Sequence, residues 1–270
     1  MTDSVAATWA LRTDATLDEV NVHLASLEAA GLLGMAEEAG VTTAYFSRRS
    51  DDLPLSGTWE QVAERDWNAA WKAGFDPVVV GEVSVVAPWH PPQPATAITL
   101  VVEPAQAFGT GHHETTTACL AALQALDLTN CSVFDVGTGT GVLALAAKAL
   151  GAQRVVAVDI DPLAVQAATV NSALNGLAIE VIAGSTEAAG GDQFDVVIAN
   201  IDTATVTELA VPLVEAVRPG GAFIGSGVSN ERSAEAVAAL QAAGLAVTAT
   251  HGAEWALLTG GDLRSSSRRR

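Results

Sequence analysis

Basic residues are scarce in this 270-residue chain: 13 Lys and Arg stand against 31 Asp and Glu, a formal net charge of −18. Four of the 13 fall in the last seven positions, Arg264 and Arg268–Arg270, which leaves nine for the rest of the chain. A body this acidic repels a phosphate backbone and attracts a basic protein, so direct nucleic-acid binding is not expected. Cysteine is scarcer still. Cys119 and Cys131 are the only two, and they stand in no metal-ligand spacing. Neither a disulfide framework nor a metal site is expected, and a cytoplasmic setting follows. Although 49% of the residues are hydrophobic and the mean hydropathy is +0.31, no apolar run approaches the ~18 residues that a membrane helix needs. The opening MTDSVAATWALRTD has no basic region followed by an apolar block, so no export signal is expected.

What is present is organised around Phe134–Gly151, FDVGTGTGVLALAAKALG. A strand-like run, Ser132–Val136, leads into glycines at alternate positions, Gly137, Gly139 and Gly141, and then into an Ala/Leu-rich helix. Glycine suits the turn because it accepts positive φ and lets a ligand lie on the backbone. A dinucleotide loop needs its third glycine one place later, and Val142 stands there. The loop therefore points to a ligand without a pyrophosphate, of which S-adenosylmethionine is the commonest. The next strand, Arg154–Val158, ends in Asp159, 22 residues after Gly137. That position lets a carboxylate accept from two ribose hydroxyls. In the following Ile160–Pro162, Asp161 reads as an N-cap and Pro162 as the first helical residue.

Taken in order, Thr8–Arg12 reads as a strand, Leu17–Ala30 as an amphipathic helix stopped by Gly31, and Leu32–Glu37 with Val41–Phe46 as a hairpin. Gly57–Lys72 reads as a second helix carrying Trp67 and Trp71 on one face, packed on the main domain. Val83–Ala87 is strand-like, and the proline-rich Pro88–Pro94 is a plausible hinge with His90 exposed in it. Ile98–Val102 delivers Glu103 and then a second glycine-rich stretch, AFGTGHHETTTACLAAL, in which Thr115–Thr117 begin a helix. Adjacent histidines rarely share one metal, so His112 and His113 read as polar residues beside a cofactor. Beyond Asp159 come helix Leu163–Ser172, strand Glu180–Ala183 with Gly184 and Ser185 at its end, and strand Phe194–Ala199 ending in Asn200, Ile201 and Asp202. A helix over Val206–Val217, the turn Arg218–Gly221, strand Ala222–Ser226 and helix Ala234–Ala243 follow. Ala246–Thr250 and Trp255–Thr259 are too close together to be anything but antiparallel. The expected fold is α/β, a doubly wound Rossmann-like sheet closed by a C-terminal antiparallel hairpin, plus a small α+β N-terminal domain. Expected boundaries are 1–56 for the small domain, 57–94 for a linker helix and hinge, 95–262 for the main domain and 263–270 for a disordered tail.

The pieces WNAAWKAGFDP, VAPWH, EPAQAFGTGHHETT, FDVGTGTGVLALAAKALGA, VVAVDIDPLAV and DVVIANI stand here in one order. In that order they resemble the ribosomal protein L-eleven methyltransferases, the PrmA family. The similarity spans Thr58–Thr259, and the AFGTG block is far more specific than the glycine loop. The resemblance implies a two-domain class I methyltransferase whose ferredoxin-like N-terminal domain recognises the substrate. It also implies S-adenosyl-L-methionine as cofactor, and lysine side chains and the N-terminal amine of that large-subunit ribosomal protein as acceptors. A monomer is expected.

By motif, the resemblance places Thr116, Gly137, Asp159 and Asn200 on the cofactor, and Phe108, Thr110 and Gly111 in a loop closing over it. Gly139, Ile160 and Ser185 complete the expected cofactor set. Asn200 is expected to orient the amine, with His113 as a second catalytic candidate and His112 and Glu103 as minor ones. Two departures stand out: His113-Glu114 replaces the His-Pro of many members, and Asn200-Ile201-Asp202 is not the Asn/Asp-Pro-Pro-aromatic signature of amide and adenine methylation. The second favours an amine acceptor. Rival expectations are a lysine methyltransferase of another protein, an NAD(P)-dependent oxidoreductase, and a ribosome-associated protein that binds S-adenosylmethionine without turnover.

Overall fold

The computed structural model describes residues 8–15, 20, 23, 26–27, 30–38, 41–50, 52–62, 76–91, 96–103 and 113–261. Most of the helix expected over Leu17–Ala30, together with Trp67, Trp71, Phe108, Thr110, Gly111, His112 and residues 263–270, lies outside them. The chain divides into two units, Met1–Gly74 and Phe75–Arg270.

In the first unit, β1 (Thr8–Thr13), β2 (Leu32–Glu38), β3 (Val41–Phe46) and β4 (Thr58–Val62) pair antiparallel in the order β2-β3-β1-β4. β4 corrects the opening of the helix expected over Gly57–Lys72, whose remainder from residue 63 lies outside the described residues, and it carries the sheet past residue 56. Its Thr, Trp and Val favour extended backbone, and it pairs with β1, Trp59 facing Leu11. Trp59 also closes on Phe46, ring centroids 5.2 Å apart. A partner nearly fifty residues upstream thus overrides a helix-like spacing. The strand order is that of a ferredoxin-like unit. Where such a unit places its second helix, no helix occurs among the described residues of 47–57. Leu53 and Leu55 from that stretch pack instead on the core of Leu11, Val20, Leu27, Ala44 and Phe46.

In the second unit, β5 (Val78–Val80), β6 (Val83–Val86) and β7 (Ile98–Val101) form a three-stranded sheet. The main sheet has seven strands: β8 (Ser132–Val136), β9 (Arg154–Asp159), β10 (Glu180–Ala183), β11 (Phe194–Asn200), β12 (Val217–Ser229), β13 (Val247–His251) and β14 (Trp255–Gly261). Their order is β10-β9-β8-β11-β12-β14-β13. The first five are parallel, and β14 is antiparallel to both of its neighbours. Helices are α1 (Glu114–Gln124), α2 (Val142–Ala149), α3 (Pro162–Asn175), α4 (Thr203–Glu208), α5 (Ala210–Ala216) and α6 (Ser233–Ala242). Alternate residues of each central strand feed opposite layers, as the two-residue period of a strand requires. Val133, Val155 and Ile198 join Leu120 and Leu145 on one side, while Phe134, Val156 and Val197 join Leu213 and Leu240 on the other. With both faces covered, the strands read as near-continuous apolar runs.

Three further features, all in the second unit, differ from expectation. The helix over Val206–Val217 is two helices broken at Leu209, because Pro212 has no N–H to give the Glu208 carbonyl and its ring crowds it. The turn Arg218–Gly221 is a bulge within β12, where pairing with β11 jumps from Phe194 to Val196 and Gly220 has φ +76°. His90 is partly buried rather than exposed, in a turn closed by its N–H on the Ala87 carbonyl.

Candidate active site

The chain enters the main sheet at its centre, runs outward through β9 and β10, then returns to β11 on the other side of β8. That reversal opens a crevice at the carboxyl ends of β8 and β11. A cavity of about 790 Å³ lies there.

Its floor is the loop after β8. Gly137, Gly139 and Gly141 all have positive φ, +72°, +56° and +82°. The N–H groups of Gly137 and Thr138 both donate to the Val158 carbonyl, at 2.9 and 3.0 Å. A Cβ on Gly137 would overlap Ile201 Cγ2, and one on Gly141 would stand 3.1 Å from Ala168 Cβ. Gly141 thus serves the close packing of α2 on α3, the task a dinucleotide loop gives to a glycine one place later. This frees Val142 to be a core residue that also lines the cavity.

Asp159 ends β9 with both oxygens engaged: Oδ2 accepts from Gly139 N–H at 2.9 Å and Oδ1 from Asp161 N–H at 3.0 Å. Each oxygen retains a second acceptor position. Asp161 caps α3 by accepting from Leu163 N–H, with Pro162 at the helix start. Ile160, between the two aspartates, is 81% exposed at the rim. Gly184 and Ser185 follow β10, and Ser185 N–H donates to Glu187 Oε1 at 2.8 Å. That bond leads those that hold the Glu187 carboxyl below its usual range.

Asn200 ends β11. Its Nδ2 donates to Thr116 Oγ1 at 3.4 Å, while Oδ1 is buried with no hydrogen-bond partner among the described residues. Thr116 itself is fully buried on α1. Asp202 caps α4, accepting from Ala204 and Thr205 N–H and from the Thr205 hydroxyl, and the hydroxyl does most to hold its carboxyl below the usual range. His113 caps α1: its Nδ1 lies 2.8 Å from Thr115 Oγ1 and accepts from Thr115 N–H at 3.4 Å. Its ring meets Trp255 edge-on, 5.2 Å between centroids.

Of the residues singled out from sequence, His113, Thr116, Gly137, Gly139, Asp159, Ile160, Ser185 and Asn200 all line this one cavity. Glu103 does not. It is exposed at the end of β7, where its N–H donates to Asn171 Oδ1 at 2.8 Å.

Four residues were given no place at the site by the sequence reading, although Glu114 was noted as a departure from the family pattern. Asn171 is fully buried on α3 and ties the loop to β7, since its Nδ2 also donates to the Thr140 carbonyl at 2.8 Å. Its spacing from Ala164, Ala167 and Ala168 puts it on the inward face of the helix, a signal that was readable. Asp135 lies under the loop, 1% exposed. Burial pushes its carboxyl up to about 6, against hydrogen bonds from the Thr138 hydroxyl and the Ala144 backbone, with a smaller push from the charge of Asp159. Trp255 lines the far wall, and the carboxylate of Glu114 accepts from the N–H groups of Ala253 and Glu254 just before it, about 140 positions away in the chain, so no local pattern joins them.

The family model for ribosomal protein L11 methyltransferase (PrmA) matches residues 5–262. A ribosomal protein L11 methyltransferase of Thermus thermophilus is 38% identical over 256 residues, covering 94% of this chain and 99% of its own length. One from Deinococcus radiodurans is 38% identical over 261 residues, covering 90% of this chain and 95% of its own. The crystal structure of a ribosomal protein L11 methylase from Lactobacillus delbrueckii subsp. bulgaricus superposes with a TM-score of 0.65 at 28% identity. That match covers 69% of this chain and 98% of the other. Alignment over nearly the full length, joined to a glycine loop, a strand-end aspartate and a strand-end asparagine around one crevice, places the chain in the ribosomal protein L11 methyltransferase (PrmA) family.

Proposed function

We propose that this protein transfers methyl groups from S-adenosylmethionine to lysine side-chain and N-terminal amines of ribosomal protein L11. The observation that carries the cofactor is the charge of the cavity wall. Asp159, Asp161 and Asp202 line it, and no Lys or Arg does so among the described residues. Such a wall suits a cationic nucleoside and opposes the pyrophosphate of a nicotinamide dinucleotide. Asn200 Oδ1, buried and without a hydrogen-bond partner among the described residues, adds an acceptor suited to an N–H donor. The net charge of −18 favours a basic protein as acceptor. A ribosomal acceptor would be met in the cytoplasm.

S-adenosylmethionine supplies a sulfonium-activated methyl group, which leaves alignment as the protein's task. The remaining acceptor positions of Asp159 take the two ribose hydroxyls, and the Gly137–Gly139 backbone lets the nucleoside lie close. Asn200 Oδ1 accepts from the acceptor nitrogen, and Thr116 Oγ1 holds the amide in place. A lysine with pKa near 10.4 is neutral about once in 2,500 at pH 7, a cost of roughly 4–5 kcal/mol. Apolar wall residues such as Val136, Leu143, Ile201 and Leu209 reduce that cost by desolvating the ammonium. A dedicated base is not needed. Nδ1 of His113 is committed to capping α1, so its place is in the wall beside the amine.

The test is to incubate the full chain with methyl-labelled donor and separated ribosomal subunits. Label on the large-subunit protein supports the reading. Label on another protein would redirect it, and donor binding without label on any amine would leave a sensor. In calorimetry, Asp159→Ala should weaken donor binding by ~1.5–3 kcal/mol, as for hydrogen bonds to a charged group. Unchanged affinity in calorimetry would remove Asp159 from the site.

A further inference from the structure

The turn between β13 and β14, Gly252–Glu254, is gripped from two directions. From one, the carboxylate of Glu114, first residue of α1, accepts from Ala253 N–H at 2.6 Å and from Glu254 N–H at 3.3 Å. From the other, Asn230 Nδ2 donates to the carbonyls of Gly252 and Ala253 at 3.1 and 3.3 Å. Its backbone N–H donates to the Glu254 carbonyl at 3.0 Å. Gly252 N–H closes the turn on the Trp255 carbonyl at 2.8 Å. A Cβ on Gly252 would collide with Glu114 Oε1, so the approach of the carboxylate demands glycine there. A first-turn glutamate commonly serves its own helix. Here His113 caps α1, and Glu114 reaches across to another element.

The residue the turn delivers is Trp255, and its ring packs edge-on against His113 at 5.2 Å. Both line the cavity. β10 and β14 stand five strand spacings apart in the sheet, or about 24 Å at ~4.8 Å per strand. With Asp159, Ile160 and Ser185 at the β9–β10 end taking the nucleoside, the Trp255 end is left to the acceptor. Resting on the methyl-transfer reading above, we infer that Glu114 is a positioning residue: it clasps the β13–β14 turn to α1 and fixes the Trp255–His113 wall that receives the acceptor side chain.

The experiment compares Glu114→Ala and Glu114→Gln with the wild type in the full chain, using Trp255→Phe to isolate the emission of Trp255. In Glu114→Ala, loss of two charge-assisted bonds should raise KM for the acceptor protein about tenfold. The S-adenosylmethionine Kd should stay within about twofold, because bonding energy changes only at the acceptor end. The Trp255 emission should shift to the red as its wall loosens. Glu114→Gln keeps one acceptor oxygen and should fall between, which preserves the test if the alanine variant does not fold. Acceptor KM and Trp255 emission both unchanged would overturn the inference, as would a loss of donor affinity equal to the loss of acceptor affinity. If the wild type methylates no acceptor, the functional reading falls, and the emission comparison alone decides whether Glu114 holds the wall.

Discussion

Two aspartates at the ends of adjacent strands are set to different work by burial alone. Asp159 is partly open to the cavity and keeps acceptor positions in reserve. Asp135 is sealed beneath the loop, its Oδ1 without a hydrogen-bond partner among the described residues. Unfolded, its carboxyl titrates at 3.8, and folded at about 6. Between those values the native state holds a proton the unfolded chain has lost, so stability falls as pH rises from 4 to 6. Above pH 6 the buried charge costs about 3 kcal/mol. Asp135→Asn should therefore gain on the wild type by about 2.5 kcal/mol between pH 4 and pH 8, read by urea denaturation at both. Any fixed cost of the new amide cancels in that difference. A gap that does not change with pH would mean the charge is compensated inside the fold. Asp159 was legible because a strand end and a glycine loop at a fixed interval identify it. Asp135 was not, since its shift comes from what closes over it, which sequence order does not record.

Among the elements, the legible ones carry their own punctuation. α3 begins at an Asp-Pro cap and ends at Gly176 with φ +62°, and the strands of the main sheet announce themselves as apolar runs. The missed ones depend on a distant partner or on one misplaced residue. β4 needed β1, the split between α4 and α5 needed Pro212, and the bulge in β12 needed the register of β11. α4 shows how a short helix is held at the site. It has six residues, and Asp202 accepts from the N–H groups of both Ala204 and Thr205. Asp202→Ala should cost ~1 kcal/mol of stability, the usual loss for an N-cap. Its carboxyl is held below the ordinary 3.8, chiefly by the Thr205 hydroxyl. The contribution is thus present above about pH 4 and lost as pH falls through the lowered folded value. Wild type and variant should converge in thermal melts taken toward pH 3 while differing at pH 7. A constant offset across that range would show that the cap acts without its charge.

At the scale of the whole molecule, the two units are built as separate bodies. Among the described residues, the core of the first draws on residues between Leu11 and Trp59, and the cores of the second on residues from Val78 onward. The site described above belongs wholly to the second. A cut at residue 56, where the sequence placed a boundary, would strip β4 of β1, the strand it pairs with among the described residues, and leave unpaired backbone and Trp59 exposed. A cut between Gly74 and Phe75 removes the four-stranded sheet intact. A chain beginning at Phe75 should therefore keep whatever S-adenosylmethionine affinity the full chain has to within about twofold, because every residue described as lining the cavity is retained. If the N-terminal sheet is the part that meets ribosomal protein L11, the same chain should lose methylation of the intact protein while still methylating a short lysine peptide at high concentration. The loss would then sit in KM rather than kcat, since the sheet contributes binding and not alignment at the reacting atoms. Full-rate methylation of the intact protein by the truncated chain would place recognition within the second unit, and the wall around Trp255 would be the first place to look for it.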